Sequence, residues 1–342
     1  MPVVSVLMPV YNADRFLQEA IQSVIDQTFC DWELLIVDDC STDQSFSIAQ
    51  QFAKQDNRIR IFQLEKNSGS AQKPRLYAEE KACGKFVCSL DADDKWDSRY
   101  LEEMLNRQKE TNADAVICRM WTFSEDSVIG EKMNPASDFD MSRILSGKEA
   151  YMLTIGEWTI NAQGLLLLLL LLARKAHEVF QVPDKIINAD ELLTRQRFLC
   201  CQKVALCEAK YYYRSNSQSI TKKFSTKHFG YNDTAKAMVD ITIKYFGNIG
   251  VEYEKTEAQY WDYVRRSLRL YVNHYDEIPA ADRNTILSDI KKHWRQIDGK
   301  AISKFNKKTY ASYILGVNGM LNYYKARKIC KKLLVKNKNI AQ

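Results

Sequence analysis

The sequence predicts an α/β fold, a mainly parallel sheet with helices on both faces, followed by a helical C-terminal extension. Three observations carry this. Strand-like and helix-like segments alternate over the first 110 or so residues, the rhythm of a parallel sheet with crossovers. Two acidic clusters, Asp38-Asp39 and Asp91 to Asp94, directly follow apolar runs, at the strand ends where such sheets bind ligands. From about Phe229 the composition changes to long, charged, aromatic-studded helical segments.

Val3 to Val10 is a short apolar run, read as the first strand. Ala13 to Gln27 carries Phe16, Leu17, Ala20, Ile21, Val24 and Ile25 at helical spacing, with Asn12 as N-cap. Trp32 to Val37 is a second buried strand. Ser41 to Gln44 fits a capping box before a helix bearing Phe46, Ile48, Ala49 and Phe52. Arg58 to Leu64 reads as strand, Ser70 to Ala82 as helix, Lys85 to Leu90 as strand and Asp97 to Lys109 as helix. Another strand is expected over Ala113 to Phe123, a helix over Asn188 to Leu199 and a strand over Val204 to Tyr213. Leu165 to Leu172 is a run of eight leucines, out of character with its surroundings. It is too short to span a bilayer and reads as a buried helix segment. The last helix is expected to carry Tyr310, Tyr313, Ile314, Val317, Leu321 and Tyr324 on one face. The resulting division is residues 1–110, residues 111–225 and a basic helical region at 226–342, with a domain boundary near 225.

The chain has 342 residues, 46% hydrophobic and 27% charged, which suits a globular protein rather than a disordered or fibrous one. Its N-terminus lacks a basic stretch and runs straight into a strand, so no secretory leader is expected. No stretch approaches the roughly 18 apolar residues of a membrane span. The nine cysteines are scattered without a Cys-x-x-Cys, the pattern of reduced, buried thiols rather than a zinc site. The four histidines, His177, His228, His274 and His293, have no ligand-like spacing and read as surface or interface residues. The net charge of +6 conceals an asymmetry. Residues 222–342 hold 24 Lys and Arg against 11 Asp and Glu, a net of +13, and nothing after Asp298 is acidic. Residues 1–221 have a net of −7.

The segment Ser89-Leu-Asp-Ala-Asp-Asp94 is the most telling one. On an extended chain Asp91 and Asp93 point the same way. Two carboxylates on one face repel unless a positive group lies between them. A hard divalent cation with oxygen ligands, Mg²⁺ or Mn²⁺, is the usual answer, and it can in turn hold a diphosphate.

The segment from Val4 to Asp94 resembles the family 2 glycosyltransferases, inverting sugar transferases with the Rossmann-like GT-A fold. The matching residues come in order. They are Ser5-Val-Leu-Met-Pro-Val-Tyr-Asn12, Ala20 to Thr28, Trp32 to Asp43, Asn67-Ser-Gly69, Pro74-Arg75, Gly84 and Leu90-Asp-Ala-Asp-Asp94. Further on, Asp190 and Tyr211 to Thr221 resemble the acceptor half of bacterial members that build surface polysaccharides. The resemblance covers residues 3–224. It departs after Pro74, where Arg75-Leu-Tyr-Ala78 replaces the usual Arg-Asn followed by glycine, and at Ala189-Asp190-Glu191, where an acidic pair is often seen.

The resemblance implies a nucleotide-activated donor, most often a uridine diphosphate sugar, with residues 1–110 as the nucleotide-sugar half and 111–225 as the acceptor half. It places Pro9, Tyr11, Asp39, Arg75, Asp91 and Ala92 around the nucleotide. Tyr11 stacks on or packs against the base. Asp39 accepts from the uracil imide or is a charge partner of a helix N-terminus. Asp91 reaches the ribose or a metal-bound water, and Asp93, with Asp91, holds the metal that bridges the two phosphates. Asp94 orients these groups or caps the next helix, and Arg75 assists a phosphate or forms a surface salt bridge. Asp190 is the base that takes the acceptor proton, with Glu191 as fallback, although an acidic residue in a helix's first turn is favourable on its own. The acceptor would be a saccharide or lipid-linked saccharide hydroxyl. The basic tail suits an anionic membrane surface, so a cytoplasmic protein, peripheral at the inner face, is expected. Two other classes remain open. A nucleotidyltransferase would want a Gly-rich basic loop after the first strand, where this chain has Met8 to Asp14. A catalytically silent binding module would grip nucleic acid through the tail, but the acidic front half argues against nucleic acid.

Overall fold

The structure, a computed structural model, describes residues 1–123, 132–134, 140–155, 166–179, 189–215 and 224–340. It forms two compact units, the first ending by Ser219 and the second comprising the helices that follow.

The first unit begins with β1 (Val4–Val10), α1 (Asp14–Ile25), β2 (Trp32–Asp38), α2 (Ser45–Gln55), β3 (Ile59–Gln63), α3 (Gln72–Lys81) and β4 (Phe86–Ser89). It continues with β5 (Lys95–Trp96), α4 (Tyr100–Thr111), β6 (Ala115–Phe123), β7 (Lys132–Asn134), β8 (Ile144–Leu145) and α5 (Gly147–Leu153). It closes with β9 (Leu166–Leu169), α6 (Leu170–Val179), α7 (Ala189–Cys200) and β10 (Val204–Arg214). One sheet runs β3-β2-β1-β4-β9-β6-β10-β5, with β7 on β6 and β8 on β10. β3, β2, β1 and β4 are mutually parallel, as the alternation predicts. Every residue of β1 and β2 is buried, which is why these strands read as continuous apolar runs rather than alternating ones. α1 turns Leu17, Ala20, Ile21 and Val24 inward, one stripe at helical spacing.

The leucine run is not the expected helix throughout. Leu166–Leu169 forms β9, antiparallel to both β4 and β6, and the helix starts only at Leu170. A homopolymer has no hydrophobic period, so pattern cannot choose between strand and helix. The gap between β4 and β6 decides: a strand there satisfies both flanking ladders and buries Leu166, Leu167 and Leu168 almost completely.

Two expected caps are absent. Asn12 does not cap α1; it sits in the left-handed region (φ 48°) and its Oδ1 accepts from the Thr42 amide at 2.8 Å. The capping box over Ser41–Gln44 does not form either. Asp43 replaces both, accepting from the Asp14 amide at 3.1 Å and the Ser45 amide at 2.9 Å, so one carboxylate serves two helix starts. Burial raises its pKa, but these hydrogen bonds prevail and hold it below the ordinary range.

The second unit holds a 3-10 turn (Thr226–Gly230), α8 (Tyr231–Phe246), α9 (Val251–Asn273), α10 (Ala280–Gln296), α11 (Gly299–Phe305), α12 (Lys307–Ile314) and α13 (Gly316–Ile340). α9 is the central helix, packed by α8, α10, α11, α12 and α13 around Trp261, Val264, Leu268, Ile290 and Ile302. The expected single last helix is broken: Gly316 adopts φ 64°, which ends α12 and leaves Ile314 and Leu315 exposed. His293 is also not a surface residue. It is buried, 2.7 Å from the Tyr260 hydroxyl. Cys30, Cys83 and Cys330 are exposed, against the expectation of buried thiols, though all nine cysteines are free. No described helix is long and apolar enough to cross a membrane.

The approach of β4 to β1 depends on Gly84. A Cβ there would lie 2.7 Å from the Ser5 nitrogen, while the Gly84 amide donates to Ser5 Oγ, which in turn donates to Glu33. Gly84→Ala is expected to cost about 1–3 kcal/mol of stability by overpacking. A urea midpoint equal to the wild type's would show that the two strands have room to part.

Candidate active site at the carboxyl ends of the parallel strands

The register Val10↔Asp38 ends β1 and β2 side by side, and the Asp39 amide donates to the Val10 carbonyl at 2.8 Å. Leu90 donates to Leu7 at 3.0 Å, which brings the end of β4 alongside. Pro9, Tyr11, Asp39 and the Asp91–Asp94 segment therefore share one rim. Tyr11 is half exposed there and Pro9 is buried behind it. Cys40, at φ 59°, turns the chain after Asp39.

The chain is not extended over Asp91–Asp93, so the period-two argument does not apply. Instead Asp94 donates its amide to the Asp91 carbonyl at 3.0 Å, closing a turn with Ala92 buried inside. The three carboxylates then part company. Asp91 is half exposed and pairs with Arg75 Nη2 at 2.5 Å. Arg75 is thus neither a surface residue nor apart from the acidic cluster, because α3 buries its stem and aims the guanidinium at the turn. Asp94 is buried. Its Oδ2 accepts from the Tyr211 hydroxyl at 2.6 Å and its Oδ1 from the Arg214 amide at 2.8 Å. Asp93 lies between them, and among the described residues no side chain donates to it. Burial, and then the charge of Asp91, push its pKa up to about 6. Burial and the two neighbouring aspartates likewise raise that of Asp94.

Asp39 is buried, and each of its oxygens accepts one bond from Ser68, from the amide at 2.8 Å and from the hydroxyl at 2.9 Å. One lone pair on each oxygen is left for another donor. This is not the helix-terminus partnership that was the alternative reading for Asp39.

Several residues of the site were not singled out in the sequence. Arg214 donates to the Asp93 carbonyl at 2.7 Å, pairs with Glu19 and lies over the Phe16 and Phe123 rings at 4.5 and 4.4 Å. Lys95 also holds Glu19, at 2.6 Å. Glu79, one turn beyond Arg75 on α3, pairs with Arg197 of α7 and lies 3.1 Å from His177 Nε2. Of these residues only Arg214 fell inside a quoted motif, because pairs 76 to 195 positions apart leave no local pattern.

Asp190 belongs to the first turn of α7, and the Glu79–Arg197 pair ties that helix to α3. The side chains of Asp190 and Glu191 lie outside the described residues, as does the chain from 216 to 223. Among the described residues no group of three carboxylate, histidine or cysteine side chains could enclose a metal. Asp91 and Asp93 make a two-carboxylate donor set, the kind that binds Mg²⁺ or Mn²⁺ together with substrate phosphates.

The glycosyl transferase family 2 model matches residues 5–161, which contain all of this rim. This stretch is a family 2 glycosyltransferase domain. TuaG of Bacillus subtilis, named for teichuronic acid biosynthesis, is 40% identical over 138 residues, covering 40% of this chain and 52% of TuaG. The chain therefore spans about half the length of that relative. Glycosyltransferase GlyG of Streptococcus pneumoniae is 28% identical over 222 residues, 64% of this chain and 73% of GlyG. The crystal structure of S. aureus TarS 1–349 with UDP-GlcNAc superposes with a TM-score of 0.71 at 18% identity, over 95% of this chain and 90% of that one. That likeness bears on the fold, and it includes the GT-A architecture.

Burial alone would raise the pKa of Glu79, but the Arg197 charge and the His177 contact outweigh it and keep it below 4.5, its ordinary value. Its stabilising contribution is therefore present above that value and lost as pH falls through the lower folded one. Arg197→Met should cost about 3–5 kcal/mol near neutral pH by stranding a buried carboxylate. The stability gap to wild type should narrow on acidification as Glu79 takes up a proton. A gap independent of pH would show that Glu79 is not ionised in the fold.

Proposed function

We propose that the protein transfers a sugar, with inversion, from a uridine diphosphate sugar to the hydroxyl of a saccharide or lipid-linked saccharide. The observation that carries this is Asp93. It is a partly buried carboxylate next to a second one, to which no side chain among the described residues donates, on the rim where a parallel sheet binds ligands. Asp91 and Asp93 would hold a divalent cation, which would relieve that arrangement and supply positive charge to a diphosphate. When bound, the metal neutralises charge on the leaving diphosphate.

The chain's own residues do the rest. Tyr11, on the exposed edge, offers its ring to the base, and Pro9 and Ala92 shape the wall behind it. Asp39 uses its spare lone pairs for the uracil imide. Arg75 fixes Asp91, which faces the ribose or a metal-bound water. Asp94, Tyr211 and Arg214 hold the turn in place. Asp190, with Glu191 beside it, takes the proton of the attacking hydroxyl on the face opposite the leaving group. The UDP-GlcNAc complex of TarS supports a uridine nucleotide, and TuaG and TarS, the latter named a poly(ribitol-phosphate) β-N-acetylglucosaminyltransferase, support a surface-polysaccharide acceptor. The basic residues of α13 favour attachment to the anionic inner face of a membrane, each worth about 1 kcal/mol near the surface.

Calorimetry with UDP-sugars, with and without Mn²⁺, tests this. Metal-dependent binding of one UDP-sugar is expected, and Asp93→Ala should abolish the metal dependence. Asp190→Asn should retain nucleotide binding while turnover falls about 10²–10⁴-fold. A folded protein that binds no nucleotide sugar would refute the reading, and a product of retained anomeric configuration would refute inversion.

A further inference from the structure

A cavity of about 460 Å³ opens in the second unit between α9, α12 and α13. Its lining is unusual for its charge. Asp262, Arg265, Arg266 and Arg269 stand on α9 at i, i+3, i+4 and i+7, one face of the helix, and Arg327 joins them from α13. Four guanidinium groups meet one carboxylate. That carboxylate is already shared, because Asp262 pairs with Arg265 and with Arg266, the latter at 2.6 Å. Arg269 and Arg327 have no carboxylate partner among the described residues. The sequence offers none on α12 or α13, since no acidic residue follows Asp298. The cations repel one another across the opening, and an anion would relieve this.

The remaining lining narrows the ligand. Tyr323 presents a half-exposed ring beside Arg327, in edge contact with Tyr324. Tyr324 is buried, and burial raises its pKa while the charges of Arg265 and Arg269 oppose this, so its hydroxyl lies in their field. Met320 and Ala311 supply apolar surface. Forked guanidinium donors match a phosphate's oxygens, and the tyrosine ring suits the flat apolar side of a pyranose or furanose. A cavity of this size takes a monomer or two, not a duplex.

We propose that this cavity binds a saccharide bearing a phosphate ester, as a subsite for a phosphorylated glycan. Its assignment to the acceptor rests on the transferase reading above; the binding itself does not. Arginine at four positions gives a phosphate several charge-assisted bonds, and Tyr323 supplies the discrimination in favour of a sugar. A lipid headgroup presents the same phosphate chemistry without the pyranose.

The test is titration of the full chain with glucose 6-phosphate, glucose and inorganic phosphate at low salt. Glucose 6-phosphate is expected to bind more tightly than phosphate, and glucose not measurably. Added salt should weaken the binding, and Arg269→Gln and Arg327→Gln should each weaken it about tenfold, the worth of one charge-assisted hydrogen bond. Both side chains are exposed and without described partners, so thermal unfolding of the variants should match wild type. Tyr323→Ala should reduce glucose 6-phosphate to the affinity of inorganic phosphate. Asp93→Ala should change none of this, which separates failure of this proposal from failure of the donor-site reading. Equal affinity for phosphate and glucose 6-phosphate, or binding indifferent to both arginine variants, overturns it. So does loss of binding to phosphatidylglycerol vesicles in the variants when glucose 6-phosphate never bound, since the cavity would then serve a lipid headgroup.

Discussion

The active rim depends on the burial of one carboxylate, Asp94. It has almost no contact with solvent and cannot swing out, because the Tyr211 hydroxyl and the Arg214 amide hold one oxygen each. Both donors come from β10, while Asp94 follows β4, and β9 and β6 intervene in the sheet. The turn over residues 91–94 is thereby fastened at both ends: to β1 through the Leu90 amide, and to β10 through Asp94. Only with that turn fixed can Asp93 remain next to Asp91 against their repulsion. Removing a donor from so buried an acceptor strands it, which is costlier than never having made the bond. The stability invested in Asp94 thus maintains the unfavourable arrangement at Asp93.

Helix α3 extends the same logic. Arg75 and Glu79 are one turn apart, and both are buried. The first reaches the turn after β4, and the second reaches α7 through Arg197. A single rigid element therefore spaces the proposed metal carboxylates from the helix that bears Asp190. Transfer by direct displacement needs the attacking hydroxyl in line with the leaving group, and small errors of placement are expensive. A helix with an ion pair at each end suits that requirement better than a loop would.

How far the sequence disclosed this follows from the range of each interaction. The parallel half was legible because each buried strand and amphipathic helix is a local pattern, and Asp91 and Asp93 stood out because they end an apolar run. The leucine run was not legible, since its strand exists only to fill a place between β4 and β6. The caps failed for a related reason: Asp43 serves two helices at once, so neither start matches a local rule. Arg214, Glu19 and Glu79 act through partners between 76 and 195 positions away, across which spacing carries no information.

The charge asymmetry takes on a spatial meaning. In the first unit part of the acidic excess is gathered in one place, because three aspartates crowd one turn where Arg75 pairs with Asp91 alone and Arg214 bonds the Asp93 carbonyl rather than its carboxylate. In the second unit the basic excess is not spread evenly as a solvated coat. Three arginines on one face of α9 converge with a fourth from α13, and among the described residues their only carboxylate is divided between two of them. Like charges gathered around a concavity cost energy in the free protein, whereas the same charges dispersed over a convex surface would not. Such a cost is sustained where a ligand of opposite sign removes it. Each unit thus holds an unbalanced cluster of its own sign, negative where a cation would bridge a diphosphate and positive where a phosphate would dock.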